Sequence, residues 1–188
     1  QTSSTNDDAW ICFHNQKPEG TLIITDIQDQ GRGRRQSQWS STPGKSLTFS
    51  FLLLPKMEFE KLSILPLLTG VSIVKGIHSI TNIQTGLKWP NDIMLSRKKM
   101  GGILIESRNN NSRLGVAVGI GLNINESENN IPQNLKDQAT SIYIDSGLEF
   151  GRELILSSIL NEFENLYFSH WHDIIPLWQE YCIHQNEE

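Results

Sequence analysis

Residues 21–54 read TLIITDIQDQGRGRRQSQWSSTPGKSLTFSFLLL, two apolar segments separated by a long polar one. The β-branched and apolar side chains of residues 21–27 predict a buried strand. Residues 47–54 predict a second strand that is ended by Pro55. The polar segment between them, residues 28–46, is rich in Gly, Arg, Gln and Ser. A segment of this length inside a domain is usually functional when it is not disordered.

Patterns in the rest of the chain predict further strands and helices. Short apolar runs predict strands at residues 87–89, 93–95, 103–106 and 113–123. An Asn-rich turn at residues 109–111 predicts that the last two strands form a hairpin. Apolar residues at helical spacing predict helices at residues 4–14, 60–79, 156–167 and 174–183. Residues 126–138 are polar and predict a surface loop, so the order of elements is typical of an α+β or mixed α/β domain.

The polar segment concentrates positive charge in an acidic chain. Arginines at positions 32, 34 and 35 are interleaved with Gly31 and Gly33. Glycine lets the backbone approach a ligand closely, and arginine offers a planar fork of donors that matches carboxylate and phosphate oxygens. Three of 16 basic residues in one loop indicate an anionic ligand, although a solvated flexible loop has the same composition. Trp39 either stacks on a nucleobase or anchors the loop to the core.

Three other segments combine glycine, proline and charge. Residues 88–92 read KWPND, and Pro90 predicts a bend there. This bend is either a simple turn or part of a site for phosphate and Mg²⁺. Residues 97–104 read RKKMGGIL, in which the basic residues fit a solvated hairpin tip and the glycines indicate a close backbone approach. Three glycines within residues 115–121 indicate that another element packs closely against that predicted strand.

Established nucleotide, nucleophile and zinc motifs do not account for these segments. Residues 43–46 (PGKS) end like a phosphate-binding loop, but Trp39 replaces its first glycine, and residues 31–33 lack the third glycine of a dinucleotide fingerprint. No Gly-x-Ser-x-Gly elbow is present. The candidate zinc ligands are too sparse to form a structural zinc site. They are His170, His172, Cys182 and His184.

Composition excludes several classes of protein. The chain has 188 residues, 37% hydrophobic and 20% charged, which excludes a collagen-like or wholly disordered chain and fits one domain. A net charge of -5 argues against a general nucleic-acid coat or a membrane-surface protein. Cys12 and Cys182 are too few for a disulfide framework. We find no apolar run near the roughly 20 residues of a membrane span and no signal peptide, so we expect a cytoplasmic protein.

The motifs occur in an order and spacing that resemble the catalytic domain of the biotin protein ligases, or holocarboxylase synthetases. The matching segments are Ser4-Thr5-Asn6, Gly31–Arg35 with Trp39, Lys88–Asp92, Lys99 with Gly101-Gly102-Ile103, and Gly119–Asn123. The resemblance covers nearly the whole chain. It implies an α+β fold with a mixed, largely antiparallel β-sheet flanked by helices, related to class II aminoacyl-tRNA synthetases. Lipoate ligases are similar in fold but lack the arginine loop.

The resemblance also implies a role for individual residues. Biotin would be bound by Ser4, Thr5, Asn6, Gln28, Arg32, Gly33, Arg34 and Lys99. ATP and the adenylate would be bound by Arg34, Arg35, Trp39, Asn91, Asp92 and Asn123. Lys99, Arg32 and Lys88 would be the catalytic residues, and Asn91 and Asp92 would also hold Mg²⁺.

The implied activity is an ATP-dependent, AMP-forming ligation. Biotin would be converted to biotinyl-5'-AMP and transferred to a lysine of a biotin carboxyl carrier domain. Two alternatives stay open: a lipoate or octanoate ligase on the same fold, and a non-catalytic biotin-binding sensor. We expect residues 1–188 to be one catalytic domain, without the helix-turn-helix extension or the C-terminal small β-barrel of other members. We therefore expect no binding to DNA or membranes, and the sequence leaves a homodimer open.

Overall fold

A six-stranded sheet organises the part of the chain that the computed structural model describes, residues 1–56, 59–110, 113–169 and 173–183. The strands are β1 (Leu22–Thr25), β2 (Ser46–Leu53), β3 (Gly86–Lys88), β4 (Asp92–Leu95), β5 (Lys98–Asn110) and β6 (Arg113–Asn123). The α-helices are α1 (Thr5–His14), α2 (Leu65–Thr81), α3 (Ile142–Ser146), α4 (Arg152–Ser169) and α5 (Ile174–Tyr181). The strand order is β1-β2-β6-β5-β4-β3, and every neighbouring pair is antiparallel. The expected α+β fold with a largely antiparallel sheet is confirmed.

The hairpin of β5 and β6 forms the centre of the sheet. β5 pairs with β6 from Gly101–Leu122 to Asn110–Arg113, and β6 pairs on its other side with β2. This confirms the predicted hairpin but not the position of its turn: Asn109 and Asn110 belong to β5, and position 111 lies outside the described residues. Side chains alternate between the two faces of a strand. As a result, β2 and β6 each turn one apolar face toward the core and one face of mostly small or polar residues toward α1.

The apolar face of the sheet packs against α2 and α4. A 3-10 helix, Phe59–Ile64, precedes α2, so the α-helix begins at Leu65 rather than at the predicted residue 60, with Pro66 in its first turn. Proline is tolerated there because the first turn leaves its N–H positions unpaired. A Cβ atom on Gly76 would lie 2.8 Å from the backbone of Ile159, so α2 and α4 are in close contact. Each fully buried Leu or Ile contributes about 1.5–3 kcal/mol to folding, which makes this layer a main source of stability.

The segment Leu62–Thr81 is long and apolar enough to cross a membrane by length and composition. This finding corrects the expectation that no apolar run reaches that length. Ten residues of α2 are buried, and the helix packs against both the sheet and α4. A helix that is apolar on most of its circumference is typical of a protein core, and packing therefore explains the composition of this segment.

The opposite face of the sheet carries α1. Trp10 and Phe13 of this helix pack against Ala117 of β6. A Cβ atom on Gly115 would lie 2.6 Å from the Phe13 ring, so glycine allows the helix to approach the strand. The expectation that another element packs closely against the glycines of β6 is confirmed.

The prediction that residues 21–27 form a buried strand is wrong in burial and in length. β1 covers Leu22–Thr25 and lies at the edge of the sheet, with β2 as its neighbour. Leu22 and Ile24 are 37% and 53% exposed, whereas Ile23 packs against the cluster around α1. The apolar pattern could not show this difference, because strand order in the sheet decides which faces are covered.

The prediction that residues 126–138 form a surface loop is wrong at two buried residues, Glu126 and Ile131, and at Gln133–Leu135, which form a 3-10 helix. Glu126 is 2% exposed, and the Ser46 hydroxyl donates a hydrogen bond to its Oε1 atom. The Oε2 atom has no hydrogen-bond partner among the described residues. Burial raises the pKa of the Glu126 carboxyl, while the Ser46 hydrogen bond opposes the rise. The loop is therefore anchored to the first residue of β2 by a carboxyl group that is costly to ionise.

We predict that Glu126→Gln changes the pH dependence of stability. The pKa of Glu126 is 4.5 in the unfolded chain and higher in the folded protein. The folded protein therefore loses stability as the pH rises from 4.5 through the folded-state pKa, and this loss persists at neutral pH. Glutamine removes this titration. The difference in melting temperature, variant minus native protein, should therefore be larger at about pH 7.5 than at about pH 4.5. A difference in melting temperature that stays constant over this range would contradict the assignment.

Candidate functional site

A cavity of about 220 Å³ lies on the α1 face of the sheet. It is enclosed by the start of α1, the loop after β1, and strands β2, β5 and β6. The site residues predicted from the sequence that line it are Ser4, Thr5, Asn6, Gln28, Arg32, Gly33, Arg34, Trp39, Asn91 and Lys99. The structure therefore brings segments from four distant parts of the chain to one place.

The start of α1 forms the polar wall of the cavity. The first N–H groups of a helix have no partner within the helix, and here the side chain of Gln28 supplies one. Its Oε1 atom accepts hydrogen bonds from the Thr5 backbone N–H at 2.8 Å and from the Thr5 hydroxyl at 3.1 Å. Two predicted pocket residues, Thr5 of α1 and Gln28 of the loop, thus hold each other in place through these hydrogen bonds.

Asn6 is oriented by two residues that the sequence analysis missed. Its Nδ2 donates to the Glu106 carboxylate at 2.9 Å. Because a carboxylate accepts only, this bond turns the Asn6 Oδ1 atom toward Ser50, whose hydroxyl lies 2.7 Å away and donates to it. The sequence contains a pattern that could have identified Ser50. Polar residues alternate at positions 46, 48 and 50 of the otherwise apolar β2, which places them on one face of the strand.

The arginine loop folds into a small hairpin, residues 31–39. The Trp39 N–H donates to the Gly31 carbonyl at 2.8 Å, and the Gly33 N–H donates to the Ser37 carbonyl at 2.7 Å. A Cβ atom at position 31 would collide with the backbone carbonyl oxygen of Trp39, which cannot move aside as a side chain can, so the hairpin base needs a glycine. Its tip is one turn of 3-10 helix, in which Arg35 has a left-handed φ of 53°.

Trp39 anchors the 31–39 hairpin to the sheet. A Cβ atom on Gly121 would lie 2.6 Å from Cζ2 of the indole, so the ring lies directly on β6. Its Nε1 atom is buried, as is the Oγ1 atom of Thr48 on the strand beside Gly121, and neither has a hydrogen-bond partner among the described residues. Anchoring, one of the two roles considered for Trp39, is confirmed. Contact with adenine stays a prediction.

Two cations at the cavity are already paired with carboxylates. The Arg32 guanidinium donates to both carboxylate oxygens of Asp7, at 2.8 Å and 2.6 Å. The hydrogen bond from Arg32 lowers the pKa of Asp7, and the same bond raises the pKa of Arg32. Lys99 Nζ lies 2.6 Å from Asp92 Oδ1. Arg32 and Lys99 are therefore balanced by carboxylates in the ligand-free protein, whereas Arg34, which also lines the cavity, has no carboxylate partner among the described residues.

The turn between β3 and β4 positions the Lys99 region. Residues 89–91 form this turn, which confirms the predicted bend. Asn91 is held by a hydrogen bond from its Nδ2 to the Ile103 carbonyl at 2.8 Å, and its Oδ1 faces Arg34 at 3.5 Å. Gly102 lies under the lysine: a Cβ atom there would be 3.6 Å from Lys99 Nζ. A Cβ atom on Gly101 would lie 2.7 Å from the Gly121 carbonyl oxygen, so the expected close backbone approach at the glycine pair is observed at Gly101.

Four predicted site residues do not line the cavity. Lys88 lines a separate cavity beside the end of α5. Arg35 is exposed at the tip of the hairpin. Asn123 donates to the Thr140 carbonyl at 3.0 Å, and Asp92 reaches the cavity only through Lys99.

The candidate zinc ligands are mostly beyond what the structure describes. His170, His172 and His184 lie outside the described residues, and Cys182 forms no disulfide within the described part of the chain. Within the described ranges, no group of three or more His, Cys, Asp or Glu side chains could hold a metal ion.

The fold and the cavity define a small-molecule site with neutral hydrogen-bonding groups on one wall and cations at its opening. The chain belongs to the biotin/lipoate A/B protein ligase family, whose model matches residues 1–123. It is 39% identical over 186 residues to the bifunctional ligase/repressor BirA of Bacillus subtilis, covering 96% of this chain and 57% of that protein. The chain thus spans little more than half the length of this relative.

Two further proteins extend the similarity. A biotin–acetyl-CoA-carboxylase ligase of Mycobacterium tuberculosis is 30% identical over 170 residues, which cover 87% of this chain and 60% of that protein. The solved structure of the biotin protein ligase from Aquifex aeolicus in complex with biotin and ATP is 34% identical, with a TM-score of 0.82. That match covers 100% of this chain and 78% of the Aquifex chain.

We predict that Gly121→Ala displaces Trp39 and destabilises the protein. The added methyl group would overlap the indole ring, and overpacking of this kind costs about 1–3 kcal/mol. Gly102→Ala is the matched control, because its Cβ would make contacts of 3.6 Å and longer. Urea denaturation should show a lower free energy of unfolding for Gly121→Ala than for the control. Equal values would show that Trp39 does not lie on the strand.

Proposed function

We propose that this chain uses ATP to convert biotin to biotinyl-5'-AMP and then transfers the biotinyl group to a lysine of a biotin carboxyl carrier domain. The observation that carries the proposal is one cavity in which Thr5, Asn6 and Gln28 lie beside the cations of Arg34 and Lys99. Neutral donors and acceptors suit the ureido ring of biotin, whereas cations suit its carboxylate and the phosphates of ATP. The names of the Bacillus and Mycobacterium relatives and the Aquifex complex with biotin and ATP support this assignment.

In the first step, a carboxylate oxygen of biotin attacks the α-phosphorus of ATP, the anhydride bond forms and pyrophosphate leaves. Two anions must approach each other, so cations have to offset their repulsion and stabilise the charge on the phosphoryl oxygens. Arg34 and Lys99 line the cavity and supply this charge. Asp92 holds the Lys99 ammonium through one contact, which leaves the other N–H groups of Lys99 available to the ligand.

Mg²⁺ would bind at the site together with ATP. Mg²⁺ is usually held by one or two carboxylates together with substrate phosphates, rather than by an all-protein cage. Asp92 and the amide oxygen of Asn91 fit that pattern, since both lie at the turn beside Lys99. Bound there, the ion would neutralise charge on the phosphate oxygens.

In the second step, the ε-amine of the carrier lysine attacks the carbonyl carbon of the anhydride. The amide bond forms, AMP leaves and the amine loses a proton to solvent, so no nucleophile from this chain is needed. Until the carrier docks, the anhydride has to be kept from water. The 31–39 hairpin places Gly33 and Arg34 at the cavity and is the element suited to cover it.

The remaining proposals rest on composition and on the family. A net charge of -5 and a sequence pI near 5.5 argue against binding to DNA or membranes, and action in the cytoplasm stays a prediction. Whether the chain forms a homodimer stays a prediction. The family includes lipoate ligases, so a lipoate or octanoate ligase is the alternative function, and a biotin sensor without catalysis is another.

Exchange of pyrophosphate into ATP distinguishes these functions. A biotin ligase should exchange labelled pyrophosphate only when biotin is present, and it should attach labelled biotin to a carrier domain. Exchange that depends on lipoate or octanoate would identify the alternative ligase. Tight binding of biotin with neither exchange nor transfer would identify a sensor, and would overturn the proposal.

We predict that Lys99→Ala strongly reduces adenylate formation. Loss of one cation at a developing anion typically lowers the rate by about 10²–10³-fold. Lys98→Ala is the matched control, because Lys98 Nζ donates to the Lys136 carbonyl and does not line the cavity. Single-turnover formation of biotinyl-5'-AMP measures the effect. If Lys99→Ala and Lys98→Ala turn over equally fast, Lys99 is not part of the site.

We predict that Arg34→Gly loosens retention of the adenylate. Arg34 lies at the tip of the hairpin over the cavity, so its loss should let the intermediate escape and label unrelated lysines. Arg97→Gly is the control, since Arg97 lies in the turn between β4 and β5 with a φ of 64° that glycine accepts readily. Labelling of bystander proteins by each variant is the measurement. Retention by Arg34→Gly as tight as in the control would refute a covering role for the hairpin.

A further inference from the structure

We infer that Asp7 is the positioning residue of the 31–39 hairpin, holding it over the cavity through Arg32. Asp7 itself does not line the cavity. Its effect on the reaction would be exerted through the hairpin, and that part of the inference rests on the proposed function. The effect on the position of the hairpin does not depend on which reaction the chain performs.

The Asp7–Arg32 pair has the geometry of a strong ion pair. Both Nη atoms of Arg32 donate, one to each carboxylate oxygen, at 2.8 Å and 2.6 Å. Two parallel charge-assisted hydrogen bonds fix the direction of the guanidinium as well as its distance. Asp7 lies in the first turn of α1, which packs against β2 and β6. One partner is therefore rigid, and the pair transmits that rigidity to the hairpin.

The hairpin has few other attachments in the part of the chain that the structure describes. Its base follows residues 28–30, which are hydrogen-bonded to the N-terminal segment through Thr2 and Ser3. Its far end is anchored by Trp39 on β6. The bonds between Gly31 and Trp39 and between Gly33 and Ser37 lie within the hairpin and do not hold it to the sheet.

At the tip, the only side-chain hydrogen bond that the described residues show is the exposed contact from Arg34 to Asn91 at 3.5 Å. That distance is at the limit of a hydrogen bond. The Asp7–Arg32 pair is therefore the strongest attachment between the base of the hairpin and Trp39.

Neighbouring charges favour the pair. Arg108 faces Asp7 and Glu106 faces Arg32, both from β5. The hydrogen bond from Arg32 and the positive charges of Arg32 and Arg108 keep the pKa of Asp7 below its ordinary value, against the effect of burial, so the carboxylate is ionised throughout the neutral range. The pair consequently acts as a constant tether rather than as a pH switch.

Because Asp7 pairs with Arg32 and not with Arg34, the two arginines have different roles. Arg32 directs one N–H of each Nη atom to Asp7, whereas Arg34 has only its weak contact to Asn91. The guanidinium free to meet a phosphate is thus that of Arg34, and Arg32 serves mainly to keep the hairpin in place. Loss of Asp7 should affect retention of the intermediate more than its formation.

Limited trypsin digestion of the ligand-free protein tests the position of the hairpin directly, because its tip carries Arg34 and Arg35. A protease needs the segment to leave its folded position before it can cut. Asp7→Asn keeps the shape of the side chain and removes the charge, and we expect cleavage at the tip to be about tenfold faster. Asp8→Asn is the matched control. It removes the same charge from the same helical turn, and the described residues give the Asp8 side chain no ion pair or hydrogen bond.

Cleavage of Asp7→Asn at the rate of Asp8→Asn and of the native protein would overturn the inference. Asp7→Glu, which keeps a carboxylate, should restore most of the resistance, and failure to do so would also count against a specific ion pair. In the adenylation assay, Asp7→Asn should release several-fold more free adenylate with little change in kcat for its formation. Because the digestion needs no ligand, it can fail while the proposed function stands, and it can succeed if that function is wrong.

Discussion

The site depends on the small residues along one face of the central strand β6, where three glycines accompany Ala117. Phe13, Asn6 and Trp39 each occupy the space over a glycine of this strand, at positions 115, 119 and 121. Any side chain at these positions would push away α1 or the 31–39 hairpin. The floor of the cavity is thus backbone, and both walls are held at the distance that backbone contact allows. The opposite face of the same strand is packed with branched apolar residues that hold it in place.

A second constraint is electrostatic. A cation without a carboxylate partner is unfavourable in free energy where it is partly buried. Arg32 and Lys99 meet this constraint by pairing with Asp7 and Asp92. An anionic ligand then meets two cations that are already paired, and among the described residues only Arg34 of the cavity's cations has no carboxylate partner. The two pairs differ in geometry, since Arg32 is bound at both carboxylate oxygens whereas Lys99 makes one contact. This difference suits Arg32 to holding the hairpin and Lys99 to meeting the ligand.

Local patterns were sufficient to predict much of the fold and of the site. Apolar runs located β2, β6 and the middle of β5, and the glycines of β6 correctly indicated close packing. Patterns could not show that β1 lies at an edge of the sheet, or that Glu126 is buried under Ser46, because both follow from strand order and from contacts between distant segments. The same reason explains why Ser50, Glu106 and Asp7 were missed. Each acts on a predicted site residue from another part of the chain.

The crystal structure of the protein with biotin bound is the most direct test of this account. We expect the ring system of biotin against the start of α1, with its carboxylate toward Lys99 and residues 31–33 of the hairpin over it. The backbone of Gly119 and Gly121 should form the floor beneath the ligand. Biotin bound elsewhere, or a hairpin that extends into solvent while the cavity is filled, would contradict the account.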